Sequence, residues 1–131
     1  MKDILCDEFQ NSVEDVLTRH KSILDIITKL QESSARINRA VIKSITSCGC
    51  VTIKASKQEL PDNISYDEVK NYMDNHLRGN LCESCREKIE EEIGNNLFYL
   101  AALSNTLDIN LYDVILKECK QIGTLGKFSL Y

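Results

Sequence analysis

Two close cysteine pairs, Cys48-Gly49-Cys50 and Cys82-Glu83-Ser84-Cys85, constrain this 131-residue chain more than any other feature. Each pair is a short chelating turn, and a closed tetrahedral metal site needs four soft ligands of this kind. If one ion takes all four thiolates, the segment ending at Cys50 is tied to the segment starting at Cys82. The residues therefore predict a structural zinc site at Cys48, Cys50, Cys82 and Cys85; four cysteines suit an iron–sulfur cluster as well. Reduced core thiols and a redox-active pair are the readings without a metal. A site closed by four cysteines leaves no open position for substrate, so its role is architectural. His76 precedes Cys82 closely enough to replace one ligand, although a packed or exposed histidine is the plainer reading. Cys6 and Cys119 stand alone and read as core or surface fillers.

Six cysteines mean little until the compartment is considered. The opening MKDILCDEF carries acids where a secretory leader needs basic residues and a long apolar run, so the expected location is cytoplasmic. There, cysteines are thiols or metal ligands rather than disulfides. No stretch offers the continuous apolar run that a membrane span requires. A net charge of −4 gives no overall reason to bind nucleic acid or an anionic membrane. Hydrophobic content of 43% and charged content of 27% are those of a globular protein, read here as a single domain over 1–131. One proline and five glycines are too few for the many turns of a β-sandwich.

From Phe9 onward, Val13, Val16, Ile23, Ile27, Leu30, Ile37 and Val41 recur at three–four spacing, with His20 and Ser34 on the same stripe. This predicts helix over roughly 7–46 with that stripe facing a core, as one helix or as two divided at Ser33–Ser34. Val51, Ile53 and Ala55 alternate with polar residues, which predicts a brief extended segment. After a turn at 60–63, Ser65 and Glu68 form a capping-box pattern. A helix is expected over 66–78, burying Val69, Tyr72, Met73 and Leu77 and ending at Gly79. The longest helix is expected at 84–107, with 97–103 as the densest core. Asn110 caps a last one from 111 to about 121. The tail IGTLGKFSLY has no period and reads as a surface extension or a partner contact. These elements together predict an all-α fold, a bundle of four or five helices with a short cysteine-rich connection.

The stretch EEEIGNNLFYLAALSNTLDINLYDV resembles the second half of the MazG-type, all-α nucleoside triphosphate pyrophosphohydrolases. In that family one helix carries E-x-x-D, followed by an apolar stretch, a short turn and another helix. Glu92-Ile93-Gly94-Asn95 occupies the first place and Leu107-Asp108-Ile109-Asn110-Leu111 the turn. The earlier L-x-E-E-x-x-E helix is matched by Leu30-Gln31-Glu32-Ser33-Ser34-Ala35. The resemblance implies carboxylates that hold Mg²⁺ against a nucleoside triphosphate and activate water. Carried over by position, the catalytic set becomes Glu32, Glu92 and Asn95, where an amide replaces the expected Asp. Gln31 and Ala35 replace two further acids, so the site reads as eroded. A metal-stabilised binding or regulatory module is the expectation, with a Mg²⁺-dependent pyrophosphohydrolase as the alternative. The resemblance also implies a homo-oligomer, and the length of the first apolar stripe agrees. Glu87, Glu90, Glu91 and Glu92 have a plainer reading too, as a solvated first turn favoured by the helix dipole.

Between Ser33 and Gln58 stand five basic residues and no acid. Arg36, Arg39 and Lys43 share one helix face and form a candidate phosphate-binding stripe for a nucleoside triphosphate. Without interleaved aromatics there is no stacking platform, so nucleic acid is not an expected partner, and a solvated face is the simpler reading.

Overall fold

The computed structural model describes residues 2–125. The fold is predominantly all-α, with one very small sheet. Four α-helices run Lys2–Val16 (α1), Ile23–Lys43 (α2), Glu83–Thr106 (α3) and Leu111–Leu125 (α4). Val51–Ile53 (β1) and Leu77–Gly79 (β2) pair antiparallel, with Val51 opposite Gly79 and Ile53 opposite Leu77. No helix among the described residues is long and apolar enough to cross a membrane. Two compact units are distinguished: residues 1–35 with 92–131, and residues 36–91.

The first unit is closed by apolar side chains that are distant in sequence. Val13 from α1, Ile26 from α2 and Ala101 and Ala102 from α3 are fully buried together. Leu17, Phe98, Leu103 and Leu111 pack against them. Gln10, itself buried, joins α1 to the α3–α4 connection. Its amide nitrogen donates to Asn105 Oδ1 and to the Ile109 carbonyl, each at 2.9 Å. Its Oε1 accepts the Leu111 N–H at 2.8 Å, satisfying a donor at the start of α4. Asn110 caps the same helix as expected, its Oδ1 accepting the Asp113 N–H at 3.0 Å.

The division of the long N-terminal run differs from the expectation. It falls at 17–22, not at Ser33–Ser34. Ser22 starts α2 by accepting the Leu24 N–H on its hydroxyl at 3.2 Å, and Asp25 supplies the acid of the first turn. Ser33 and Ser34 sit inside α2, because both hydroxyls bond back to the Leu30 carbonyl without breaking the ladder. The buried side of α2 is also rotated from the predicted stripe. Ile26, Ser33 and Ala40 are buried, whereas Ile23, Ile27 and Val41 are exposed. In α3, likewise, Ala101 and Ala102 are buried while Leu97 and Leu100 stand open.

In the second unit α2 gives way to a π-type turn at Ser44–Cys48, closed by the Gly49 N–H on the Ser44 carbonyl at 2.9 Å. The helix expected at 66–78 is not formed. A 3₁₀ turn spans Tyr66–Asn71, and Leu77 instead enters β2. Ser65 makes no side-chain cap; only its carbonyl accepts the Glu68 N–H. Tyr72, Met73 and Leu77 are exposed rather than buried. The competing force lies next door. Asp74 and Asn75 accept the His76 and Leu77 N–H groups on their side chains, which turns the chain sharply into β2. Arg78 grips Asp74 at 2.6 Å, and the pairing holds the Asp74 carboxyl down at about 2. Residues 122–125 of the expected tail continue α4; 126–131 lie outside the described residues.

Gly79 and Gly49 both have positive φ, yet they are held differently. A methyl group on Gly79 would lie 2.7 Å from the Cys50 carbonyl oxygen, whereas around Gly49 there is open space. Gly79→Ala is expected to destabilise by about 3 kcal/mol, combining left-handed strain with a backbone clash. Gly49→Ala is expected to cost about 1 kcal/mol, from strain alone. Urea unfolding of the two variants checks the ranking.

Candidate metal centre

The two cysteine pairs come together in the second unit. The π-type turn delivers Cys48, and Gly49 in a left-handed conformation leads to Cys50, which immediately precedes β1. Gly79 lets β2 pass close over Cys50, and three residues later Cys82 opens the approach to α3. Cys85 lies in the first turn of that helix. All four Sγ atoms lie within 4.8 Å of one another, and Cys48 and Cys82 are separated by 3.8 Å. A tetrahedral ion with bonds of about 2.3 Å to sulfur requires ligand sulfurs about 3.8 Å apart. The cluster therefore has dimensions that suit one metal ion.

Its electrostatics suit a cation as well. The Cys85 backbone N–H points at Cys82 Sγ at 3.4 Å, and with the Cys85 thiol it lowers the Cys82 thiol to about 7. Cys85 moves the opposite way, pushed up to about 12 by the Cys82 side chain first and by partial burial second. The Cys50 backbone N–H and the Cys85 thiol favour ionised Cys48, but the Cys82 and Cys50 side chains outweigh them and leave its thiol raised. Four thiols held this close resist shared ionisation, and a divalent cation removes that conflict. Cys50 Sγ also lies 3.7 Å from the Ser44 carbonyl, which fixes its orientation.

His76 is not one of the four ligands. It precedes β2 with a φ of 62° and accepts the Lys54 N–H on its carbonyl. Among the described residues its Nε2 is buried without a hydrogen-bond partner. Cys6 is half-buried and Cys119 exposed, and neither belongs to the cluster.

Of the carboxylate positions, Glu32 and Glu92 belong to the first unit, and Glu87, Glu90 and Glu91 to the second. Glu92 is 5% exposed, and Asn95, one turn further along α3, donates its amide to Glu92 Oε1 at 3.3 Å. Glu32 is on the exposed side of α2, where Lys29 pairs with it at 3.4 Å. Glu87, Glu90 and Glu91 are exposed as a solvated turn would be, and Glu92 alone of the four turns inward. Arg36, Arg39 and Lys43 are exposed along α2.

One polar feature had no sequence signal of its own. A cleft of about 430 Å³ in the first unit is lined by Asp7, Gln10, Glu14, Asn105, Asp108 and Asn110, among others. Its walls are joined by the Gln10–Asn105 bond and by Asn110 donating to Asp7 at 2.8 Å. Residues so far apart in the chain share no motif spacing. The chain has no match among family models, curated proteins or solved structures.

Proposed function

We propose that the chain is a zinc-stabilised helical module of MazG-like type, with a binding or regulatory role, an eroded hydrolytic site and a homo-oligomeric state. The four-thiol cluster carries the reading. Its sulfur separations suit a single tetrahedral ion, whereas a multi-iron cluster spreads its cysteines over several metal atoms. Four protein ligands complete that ion's coordination, which makes it a cross-link rather than a reagent. The eroded site is supported by the Asn95 amide, which spends a donor on Glu92 and adds no charge for Mg²⁺. The alternative, a Mg²⁺-dependent nucleoside triphosphate pyrophosphohydrolase, is favoured by one observation: Glu92 is a buried carboxylate at a position where the family places a ligand.

The test measures metal and turnover on the same preparation. Expected are about one zinc per chain, no visible absorbance, and no pyrophosphate release from nucleoside triphosphates with Mg²⁺ or Mn²⁺. Because the Cys48 and Cys85 thiols are raised, zinc uptake by metal-free protein at pH 7 should release at least about two protons. Calorimetry in buffers of different ionisation enthalpy reads that number, and zinc affinity falls as pH is lowered. Metal-free protein with freely reactive thiols, or a brown protein, overturns the zinc assignment. Robust turnover abolished by Glu92→Gln overturns the eroded site and makes the chain an enzyme.

A further inference from the structure

From the unequal exposure of the four thiols, we infer that the cluster is also a modification site for hydroperoxides. Cys48 is the sulfur oxidised first, and Cys82 captures it as a disulfide. Cys48 is exposed, whereas Cys50, Cys82 and Cys85 are half-buried. It ends the π-type turn and is followed by Gly49, beside which there is open space. An oxidant arriving from water therefore meets the Cys48 sulfur before the other three.

Position selects the capturing thiol. Cys82 Sγ lies 3.8 Å from Cys48 Sγ, and the Cys85 N–H at 3.4 Å sets the Cys82 sulfur in place. A disulfide bond is about 2.05 Å long, so the two sulfurs must close by about 1.8 Å. The open space beside Gly49 leaves the Cys48 end of the pair room for that shift. Cys50 is less suitable. Its Sγ is set against the Ser44 carbonyl at 3.7 Å, and a bond to Cys48 would close a ring over a single residue.

The chemistry balances with a hydroperoxide as the oxidant. The Cys48 sulfur attacks one peroxide oxygen and breaks the O–O bond, giving a sulfenic acid. With hydrogen peroxide the leaving hydroxide takes a proton and departs as water. The Cys82 sulfur then attacks the Cys48 sulfur, the S–S bond forms, and a second hydroxide leaves and is protonated. Two sulfurs have given up two electrons, and one peroxide has become two waters. Cys50 and Cys85 alone then remain as ligands, too few for a closed tetrahedral site. The new bond joins the same two segments that a shared ion joins, so one cross-link replaces another. Loss of the ion rests on the zinc reading; the sulfur–sulfur step does not.

The test treats the full chain, as purified, with hydrogen peroxide near neutral pH. A chromogenic chelator reads freed zinc, and digestion without reductant followed by mass spectrometry reads the disulfide. Expected is a Cys48–Cys82 bond, with one zinc freed per bond at the same rate. A sulfenic-acid trap present during oxidation should label Cys48 and not Cys82. The oxidised chain should bind zinc at least about 100-fold more weakly, and dithiothreitol should restore the affinity. Cys119→Ser, outside the cluster, should change none of these results. A dominant Cys82–Cys85 or Cys48–Cys50 bond overturns the inference, as does a trap label on Cys82 alone. So does zinc retained while only Cys6 and Cys119 are oxidised. A chain purified without metal defeats the zinc reading by itself. The same mapping on that chain still decides, a Cys48–Cys82 bond upholding the site and any other main product overturning it.

Discussion

Cys82→Ser should abolish metal binding at the proposed four-thiol site and lower the melting temperature by at least about 15 °C. The second unit has little else to hold it. Its buried apolar side chains are Ala40, Val51 and Ile89, and its sheet is a pair of three-residue strands. An isolated two-stranded hairpin is marginal in water. A structural zinc ion contributes roughly 10–16 kcal/mol of apparent binding free energy, which in small sites is folding free energy. Serine keeps the size of the side chain and removes a soft ligand, so the loss is one of coordination rather than packing. Amide exchange should show the effect centred on 50–54 and 77–85. A variant that keeps its melting temperature and its exchange pattern would mean the thiols are not a metal cross-link.

Gln10→Leu should cost about 3 kcal/mol, with the first unit losing stability and the metal unaffected. The substitution keeps volume and removes the side-chain amide. Three partners then lose their hydrogen bonds in a half-buried place: the Asn105 side chain, the Ile109 carbonyl and the Leu111 N–H. Each unsatisfied group contributes roughly 1 kcal/mol or more. Asn105 also donates to the Gln10 carbonyl at 2.8 Å, and that bond should survive because it uses the backbone. Chemical denaturation measures the change. A loss below about 1 kcal/mol would show that water replaces the amide there, and the α1–α4 junction would rest on its apolar contacts alone.

Local signals were the legible part of this sequence. The extent of α3, the Asn110 cap and the short extended segment at Val51 each follow from residues within one or two turns. The cysteine quartet was legible because metal-ligand spacing is itself local, twice over. Two kinds of error had physical causes. The Ser65–Glu68 pattern announced a helix, but Asp74 and Asn75 recruited the backbone N–H groups of His76 and Leu77 and turned the chain into a strand. The break at 17–22 was illegible because Val16, His20 and Ile23 carry the three–four spacing straight across it, and the Ser22 hydroxyl that starts α2 is a single polar residue in that run. On α2 the expected core stripe was misplaced: Ile26, Ser33 and Ala40 are buried, while Ile23, Ile27 and Val41 are exposed. The role of Gln10 was illegible for a plainer reason, since its partners are nearly a hundred residues away.

The order in which the parts appear during synthesis follows from how the chain is divided. Residues 36–91 form a continuous unit, whereas the other unit is assembled from both sides of it. All four cysteines have left the ribosome once residue 85 is clear of the exit tunnel, so the thiol cluster can close soon after the β1–β2 pair and before the other unit is complete. Val13 and Gln10 must wait for Ala101, Asn105 and Leu111, and until then α1 has no partner from the C-terminal half. An ion bound at that stage shortens the chain that must be searched, because joining Cys48 to Cys82 removes the intervening residues from the loop. On the proposed reading, metal supply would then set the pace of folding on nascent chains.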